Sequence, residues 1–374
     1  MMTNNSNYMT EKRLSSSGWG GHYPWLDAAR FIAAFMVLLS HSRNDFFLPY
    51  GELDPSQQGV MTFLYYFTCR LGHEAVLAFF VISGFLVGGR GLERMMNKSF
   101  DKVQYAIDRT ARIGIPLIAA LVFCIITYEI IGQEYSLWVA LGNLFSLQGI
   151  SCESFISPLW SLSYEVWFYI FLFAISLGLE RKKAALLLLP LCVLVFTQLD
   201  AMYFLIWMMG AFAYLCRPAQ GSKAIAAIAF VAILVTLVLS IMSSDSNSIS
   251  LPWKPDYRVM EVLVSIAICV FIQQIILFTP KNRLAVKINS AFSYLADFSY
   301  TLYLTHRITL LLVFEFLYDK GKAEFTTVSV IQHISIIAIC LFASWLIYLI
   351  SEKHTKTVKN IIKKRMGLNQ IIKN

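Results

Sequence analysis

Long runs of apolar residues, each nearly free of charge, are the feature that most restricts the fold of this chain. Five of them are the ranges 118–131, 159–179, 224–242, 259–278 and 328–350. A helix needs about 20 apolar residues to cross the hydrocarbon core of a bilayer. Only 14% of the 374 residues are charged, whereas a soluble domain has about 25%. The sequence therefore predicts an all-α, polytopic integral membrane protein.

The apolar runs, taken in order, predict a bundle of about ten transmembrane helices. The predicted spans are 26–42, 74–90, 113–131, 159–179, 184–198, 201–216, 224–242, 259–279, 291–317 and 327–350. The 184–198 span is short and the 291–317 span is long, so each is a candidate for a tilted or broken helix. The predicted domains are a polar cytoplasmic leader at 1–25, a transmembrane domain at 26–350 and a basic cytoplasmic tail at 351–374.

The basic residues fall mainly into one set of alternate loops. That set holds 23 of the 31 Lys and Arg residues, including the loop at 90–112 and the tail, whereas the opposite set holds seven. Because cytoplasmic loops carry the excess of Lys and Arg, both termini are predicted to be cytoplasmic. This topology and anionic lipid explain the net charge of +8, so no nucleic-acid partner is predicted.

Three ionisable residues, Asp27, Arg30 and His41, lie inside the first predicted span. Such groups are costly at membrane depth and are therefore candidates for function. Asp27 and Arg30 are three residues apart, so they are neighbours on one helix face and can neutralise each other. His41 follows Arg30 by eleven residues, close to three helical turns, so it points to the same side. The alternative interpretation is a helix end held by an ion pair, with a histidine at the membrane interface.

The seven cysteines show no metal-ligand spacing, and no metal site is predicted. Most of them lie inside apolar runs and are interpreted as small buried hydrophobic residues. A disulfide between Cys69 and Cys152, which both fall in predicted outer loops, is the weaker alternative.

Residues 25–41, WLDAARFIAAFMVLLSH, resemble the first helix of the acyltransferase-3 family of integral membrane acyltransferases. Arg30 and His41 fall on the Arg-x(10)-His motif of that family, although Ala28 and Phe31 replace its usual glycines. Four more segments match in the family order: AVLAFFVISGFLV (75–87), YAIDRTARIGIP (105–116), SPLWSLSYEVWFYIF (157–171) and FSYTLYLTH (298–306). The resemblance covers nearly the whole chain, so the joint match is more specific than any single motif.

The resemblance implies a bacterial inner-membrane O-acyltransferase with acyl-CoA, in the first place acetyl-CoA, as co-substrate and no bound cofactor. Its acceptor would be a hydroxyl of a surface polysaccharide or of a lipid-linked precursor. A homo-oligomer is left open. The alternative function is a transporter or flippase for a lipid-linked sugar or a small solute, which would also need charges inside the membrane.

The resemblance further implies that His41 is the general base of the acyl transfer. Histidine suits this role because its ordinary pKa lies close to the operating pH. His306 is the rival base, and its tyrosine-rich surroundings favour a role in packing or on the acceptor side.

Arg109 and Arg112 precede the third predicted span and share a helix face, because they are three residues apart. Coenzyme A carries phosphates, which guanidinium groups bind through paired hydrogen bonds. Arg30 lies at the same predicted depth, so these three arginines form the predicted donor-binding site. The alternative is that they only anchor the topology, and Arg90 and Arg94 compete for the donor role.

Glu165 lies in the aromatic block WSLSYEVWFYIF, where a carboxylate needs a partner or a wet cavity. It is predicted to orient His41 or to hydrogen-bond the acceptor. The neighbouring Trp160, Trp167 and Tyr169 fit either a sugar-stacking surface or an aromatic belt. Ser83 and Gly84 are predicted to permit close helix packing, whereas a nucleophilic role for Ser83 lacks an adjacent histidine.

Overall fold

The computed structural model describes residues 23–243, 255–278, 283–318 and 321–368. Every regular element in these ranges is a helix, and the two isolated β-bridges, Phe47 with Ala323 and Gln148 with Cys152, belong to no strand. The predicted leader falls almost wholly outside these ranges, as does most of the predicted outer loop at 243–258. The predicted all-α class is confirmed.

The helices differ widely in length. They are α1 (Pro24–Phe46), α2 (Val60–Cys69), α3 (Gly72–Ser83), α4 (Arg90–Met96), α5 (Lys102–Ile131), α6 (Leu137–Leu144), α7 (Trp160–Leu179), α8 (Ala185–Gln198), α9 (Ala201–Leu215), α10 (Lys223–Ser243), α11 (Tyr257–Ile275), α12 (Arg283–Asp297), α13 (Ser299–Phe316), α14 (Thr327–Ile350) and α15 (Thr355–Arg365). A π-helical segment, Gly84–Gly89, joins α3 to α4 without a break.

Six helical stretches in the described residues are long and apolar enough to cross a membrane. They are Val60–Met96, Lys102–Ile131, Ser157–Leu179, Lys223–Ser243, Tyr257–Ile275 and Thr327–Arg365. The apolar helices α8 and α9 have only 14 and 15 residues, and both α1 and α13 carry charged side chains. The chain is therefore a multi-pass membrane protein, whereas the number of about ten spans stays a prediction.

The structure divides the long 291–317 span at Phe298, between the end of α12 and the start of α13. The carboxylate of Glu352, which follows α14, accepts hydrogen bonds from the Thr301 backbone N–H at 3.1 Å and from the Thr301 hydroxyl at 2.7 Å. Helix N-termini leave N–H groups without intrahelical partners, and an acidic group there is favourable. Glu352 thus caps α13 as a separate helix. This helix packs against α1, α5 and α14.

The two predicted sets of loops lie at opposite ends of the bundle, as ion pairs at the two ends of α9 show. Helix α9 joins the two ends, because Asp200 precedes it and Arg217 follows it. Asp200 pairs with Arg258 at 2.6 Å, a contact within the opposite set, and Arg217 pairs with Glu93 at 2.7 Å, within the Lys/Arg-rich set. The end that carries most of the positive charge is called the basic end below.

Close packing of α3 and its π-helical continuation against α9 requires glycine. A Cβ atom added to Gly84 would lie 1.9 Å from the Trp207 carbonyl oxygen, and one added to Gly210 would lie 2.2 Å from the Val81 carbonyl oxygen. Small residues allow helix backbones in membranes to approach this closely. The prediction of a packing role for Gly84 is therefore confirmed.

Candidate functional site

A cavity, called the inner cavity, lies among α1, α3, α5, α7 and α13; together with the solvent at its open side it has about 880 Å³ of empty space. Most of its wall is apolar, with side chains such as Phe79, Phe80 and Leu86. Its polar lining includes residues that the sequence analysis singles out: Arg30, Ser83, Arg109, Arg112, Glu165 and Tyr169. Ser161, Ser299, Tyr300 and Tyr303 complete the polar part of the wall. The cavity therefore combines an apolar body with a few polar groups, which is typical of a small-molecule site.

A larger space of about 2460 Å³, called the vestibule, lies at the basic end. It is lined by the beginnings of α1 and α5, the end of α12 and the residues around α15. Eight basic and five acidic side chains face it, so its wall is net positive. Arg30, Leu86, Val87, Arg109 and Arg112 line both spaces, which shows that the vestibule narrows directly into the inner cavity.

The structure brings the three predicted donor-binding arginines together at this junction. Arg30 donates to the Asp27 carboxylate at 2.7 Å, and the Arg109 guanidinium lies 5.6 Å from the centre of the Tyr169 ring. Arg112 is exposed although it lies deep in the bundle, because it faces both spaces. The Nε atom of Arg109 is buried and has no hydrogen-bond partner within the described residues.

The competing arginines are placed differently. Arg94 lines the vestibule, whereas Arg90 is buried, with its guanidinium 5.1 Å from the centre of the Tyr23 ring. The basic tail also contributes to the vestibule, because Lys359 of α15 pairs with Asp108 of α5 at 2.8 Å. Part of the tail thus packs onto the bundle and forms a wall of this space.

Glu165 forms hydrogen bonds inside the wall of the inner cavity. Its carboxylate accepts from the Ser83 hydroxyl at 3.2 Å and from the Tyr169 hydroxyl. The Trp207 indole in turn donates to the Ser83 oxygen at 3.3 Å. Among the described hydrogen bonds none joins Glu165 to His41, so the structure shows Glu165 at the cavity and not as the residue that orients His41.

His41 is hydrogen-bonded instead to His306 of α13. The distance between His41 Nδ1 and His306 Nε2 is 2.9 Å, and the two rings are nearly coplanar, with an interplanar angle of 15° and centroids 5.1 Å apart. His306 is fully buried, and its Nδ1 lies 3.0 Å from the carbonyl oxygen of Leu302. The sequence had suggested His306 as a rival base, but its direct contact with His41 was missed. The histidine that ends the FSYTLYLTH segment was the available signal.

The histidine pair lies just beyond the end of the inner cavity and does not line it. The Tyr303 ring lies between the inner cavity and the histidine pair, because it faces the cavity and its centroid is 6.2 Å from that of His306. The Tyr303 hydroxyl is held by the Ser161 hydroxyl at 2.6 Å and the Pro158 carbonyl oxygen at 3.2 Å. A substrate in the inner cavity is therefore one side chain away from His306, the hydrogen-bonded partner of His41.

The three aromatic residues near Glu165 have different surroundings. Tyr169 lines the inner cavity. Trp167 is buried and donates to the Ser146 carbonyl oxygen at 3.1 Å, which is a structural contact. Trp160 packs against Tyr203, with ring centroids 5.3 Å apart. Tyr169 is therefore the one of these three that faces a space for a ligand.

Comparison with known proteins identifies the family. Residues 23–349 match the family profile of acyltransferase 3, described as an acyltransferase domain, and this range includes the site residues predicted from the sequence: Arg30, His41, Arg109, Arg112 and Glu165. No curated protein and no solved structure matches the chain. The match separates a membrane acyltransferase from the transporter alternative. Because it covers far more than half of the sequence, the chain belongs to the acyltransferase-3 family.

Proposed function

We propose that this protein is an O-acyltransferase of the bacterial inner membrane, with both termini in the cytoplasm. It transfers an acyl group, in the first place acetyl, from acyl-CoA to a hydroxyl of a surface polysaccharide or of its lipid-linked precursor. The observation that carries this proposal is the meeting of Arg30, Arg109 and Arg112 where the vestibule enters the inner cavity.

The donor end of the site fits a charged molecule with a long neutral arm. Guanidinium groups hold phosphates through charge-assisted hydrogen bonds, and the excess of basic side chains in the vestibule attracts an anion. The Nε of Arg109 and the hydroxyl of Tyr300, which have no hydrogen-bond partner among the residues that the structure describes, offer further polar contacts at the cavity. The phosphates of acyl-CoA therefore bind in the vestibule and at the three arginines, and the pantetheine arm enters the inner cavity.

The chemical step takes place at the far end of the inner cavity. His41 accepts the proton of the acceptor hydroxyl, whose oxygen attacks the thioester carbonyl carbon. The carbon–sulfur bond then breaks, and the coenzyme A thiolate takes up the proton, so that an ester and free coenzyme A result. Because Tyr303 lies between the cavity and the histidine pair in this structure, its side chain moves aside when the thioester reaches the base.

Glu165 contacts the bound substrate from the wall of the inner cavity in this proposal. Its two hydrogen bonds from Ser83 and Tyr169 fix the carboxylate in place. A fixed acceptor group of this kind binds amide N–H groups or hydroxyls of a substrate without a cost of reorganisation.

The function is tested by measuring polysaccharide acylation directly. Surface polysaccharide is isolated from cells with the gene, without it, and without it but complemented, and the ester-linked acyl groups are released by mild alkali. Mass spectrometry should show acetate that disappears with the gene and returns on complementation. An acyl content that does not depend on the gene would contradict the proposal.

A further inference from the structure

We infer that His306 is a positioning residue that fixes the tautomer of His41, so that the Nε2 atom of His41 is the proton acceptor. This role rests on the proposed function, because it presupposes that His41 is the base. The sequence predicts Glu165 as a residue that could orient His41. The deeply buried His306 takes that role instead.

The hydrogen bonds of His306 determine where its proton lies. Its Nδ1 is 3.0 Å from the Leu302 carbonyl oxygen, which can only accept a hydrogen bond, so Nδ1 carries the hydrogen. In a neutral imidazole the other ring nitrogen then has a lone pair and is an acceptor. His306 Nε2 therefore accepts, and the atom that it faces at 2.9 Å, His41 Nδ1, must donate.

The same reasoning determines the free nitrogen of His41. With the hydrogen on Nδ1, the lone pair of the neutral His41 ring lies on Nε2. His41 is half-buried rather than enclosed, and within the described residues no hydrogen bond occupies its Nε2. This nitrogen is thus the one that can take a proton from an incoming hydroxyl, and the other tautomer would present a hydrogen to that hydroxyl instead.

Burial makes the arrangement rigid. His306 is 0% exposed, so no water competes for its Nε2. The two rings meet edge to edge at an interplanar angle of 15°, which points the Nδ1–H of His41 at the lone pair of His306 Nε2. A histidine orients the base at lower cost here than a carboxylate would, because an isolated charge is expensive to bury whereas a neutral imidazole with both nitrogens hydrogen-bonded is not. When His41 is protonated, its Nδ1–H bond to His306 also stabilises the positive charge.

The test compares two substitutions of His306 in the purified full-length protein. His306→Leu removes the acceptor for His41 Nδ1, whereas His306→Gln places an amide oxygen near the position of the lost Nε2. Initial rates are measured with radiolabelled acetyl-CoA as donor and polysaccharide of the same cell, freed of esters by mild alkali, as acceptor. We expect kcat to fall about 10²-fold in His306→Leu and to recover to within about tenfold of the unchanged protein in His306→Gln. The KM for acetyl-CoA should be unaffected in both.

His333 of α14 provides the matched control. It is also 0% exposed and also bonds to α1, through the Ser42 hydroxyl at 2.9 Å, but it does not contact His41. His333→Leu should therefore keep kcat close to that of the unchanged protein. If His306→Leu fails to fold, His306→Asn takes its place, because the shorter amide does not reach His41.

Two results would overturn this role. Equal losses of kcat in His306→Gln and His306→Leu would show that His306 has only a packing role, and a normal kcat in His306→Leu would show that it has none. Failure of the proposed function would look different, since the unchanged protein would then transfer no label in the same assay. Full activity in His41→Ala would instead remove His41 as the base, and with it the residue that His306 positions. An active His306→Leu together with an inactive His41→Ala removes the positioning role and leaves the base in place.

Discussion

Arg30 and His41 share one face of α1 but lie in different surroundings. Arg30 is at the junction of the vestibule and the inner cavity, whereas His41 pairs with His306 beyond the far end of that cavity. Eleven residues of helix separate the two positions, which is about 16 Å along the axis. Such a separation suits a donor that is charged at one end and reacts at the other.

The first prediction concerns the base. His41→Ala should abolish acyl transfer while the protein still inserts and folds, since loss of a general base costs about 10² to 10⁴ in rate. The measurement is the transfer of label from acetyl-CoA to de-esterified polysaccharide, with size-exclusion elution as the check of folding. Near-normal acetylation by a well-folded His41→Ala protein would remove His41 from the mechanism.

The second prediction concerns the phosphate end of the donor. Replacing Arg109 and Arg112 together by alanine should raise the KM for acetyl-CoA and leave kcat at saturating donor nearly unchanged. The reason is that phosphate contacts are the same in the ground state and in the transition state.

Lys182→Ala is the matched control for this pair, because Lys182 is an exposed basic residue at the same end that does not line the vestibule. Its KM should equal that of the unchanged protein. An unaltered KM in the double variant as well would leave the two arginines as anchors of topology only.

Sequence reasoning found the arginines because three-residue spacing on a helix predicts a shared face. It found His41 as an ionisable residue inside the first predicted span, on the face of Arg30, and the family resemblance implied its role as the base. It missed the partner of His41, since His306 is 265 residues away and only tertiary packing brings the two rings together. It also left Glu165 with two alternatives, because spacing cannot show that Ser83 of another helix donates to it.

At the scale of elements, the contact between the π-helical segment Gly84–Gly89 and α9 shapes one side of the inner cavity. Ser83 precedes this segment and hydrogen-bonds to Glu165, and Leu86 and Val87 within it line both spaces. π-helical insertions are rare and frequent at functional sites. Nothing in the apolar pattern distinguishes such a segment from an α-helix, so the sequence predicted one continuous span here.

The third prediction tests this contact. Gly84→Ala should destabilise the protein by about 1–3 kcal/mol, because the new methyl group meets the backbone of Trp207, which cannot yield as a flexible side chain would. Gly114→Ala is the control, since a Cβ atom there meets nothing within 4 Å and alanine favours a helix. Thermal unfolding in detergent should show a lower Tm for Gly84→Ala alone. Equal Tm values for the two variants would contradict the close packing.

The break at Phe298 shows a second limit of the apolar pattern. Residues 291–317 contain enough apolar side chains for one span, and nothing local forbids a helix through Phe298. The reason for the break is remote, because Glu352, more than fifty residues later, hydrogen-bonds to the first turn of α13 through Thr301. Local patterns predict that helices exist, whereas their ends depend on partners supplied by the fold.

At the scale of the whole molecule, the two ends of the bundle differ in charge and in the part of the site that lies near them. The vestibule opens at the basic end, and the histidine pair lies toward the opposite end, where Arg307 pairs with Asp45. If the basic end is cytoplasmic, acyl-CoA enters from the compartment in which it is made. His41 then lies toward the side from which a surface glycan approaches.

The fourth prediction tests that orientation by cysteine labelling in intact cells whose outer membrane has been made permeable. The exposed Cys216 is first replaced by serine to remove background reactivity. Ser246→Cys, in the predicted outer loop at 243–258 and outside the described residues, should then react with an impermeant thiol reagent. Asn97→Cys, in the exposed turn after α4 at the basic end, should react only after the inner membrane is broken.

The expected pattern follows from the uneven division of Lys and Arg between the two sets of loops, which favours the basic end in the cytoplasm. A reversed pattern would contradict more than the topology. It would turn the vestibule and its arginines away from the cytoplasm, where a coenzyme A donor could not reach them. His41 would then face the cytoplasm, and the acceptor could only be a glycan or precursor on that side. The labelling therefore tests the proposed donor site independently of any substitution within it.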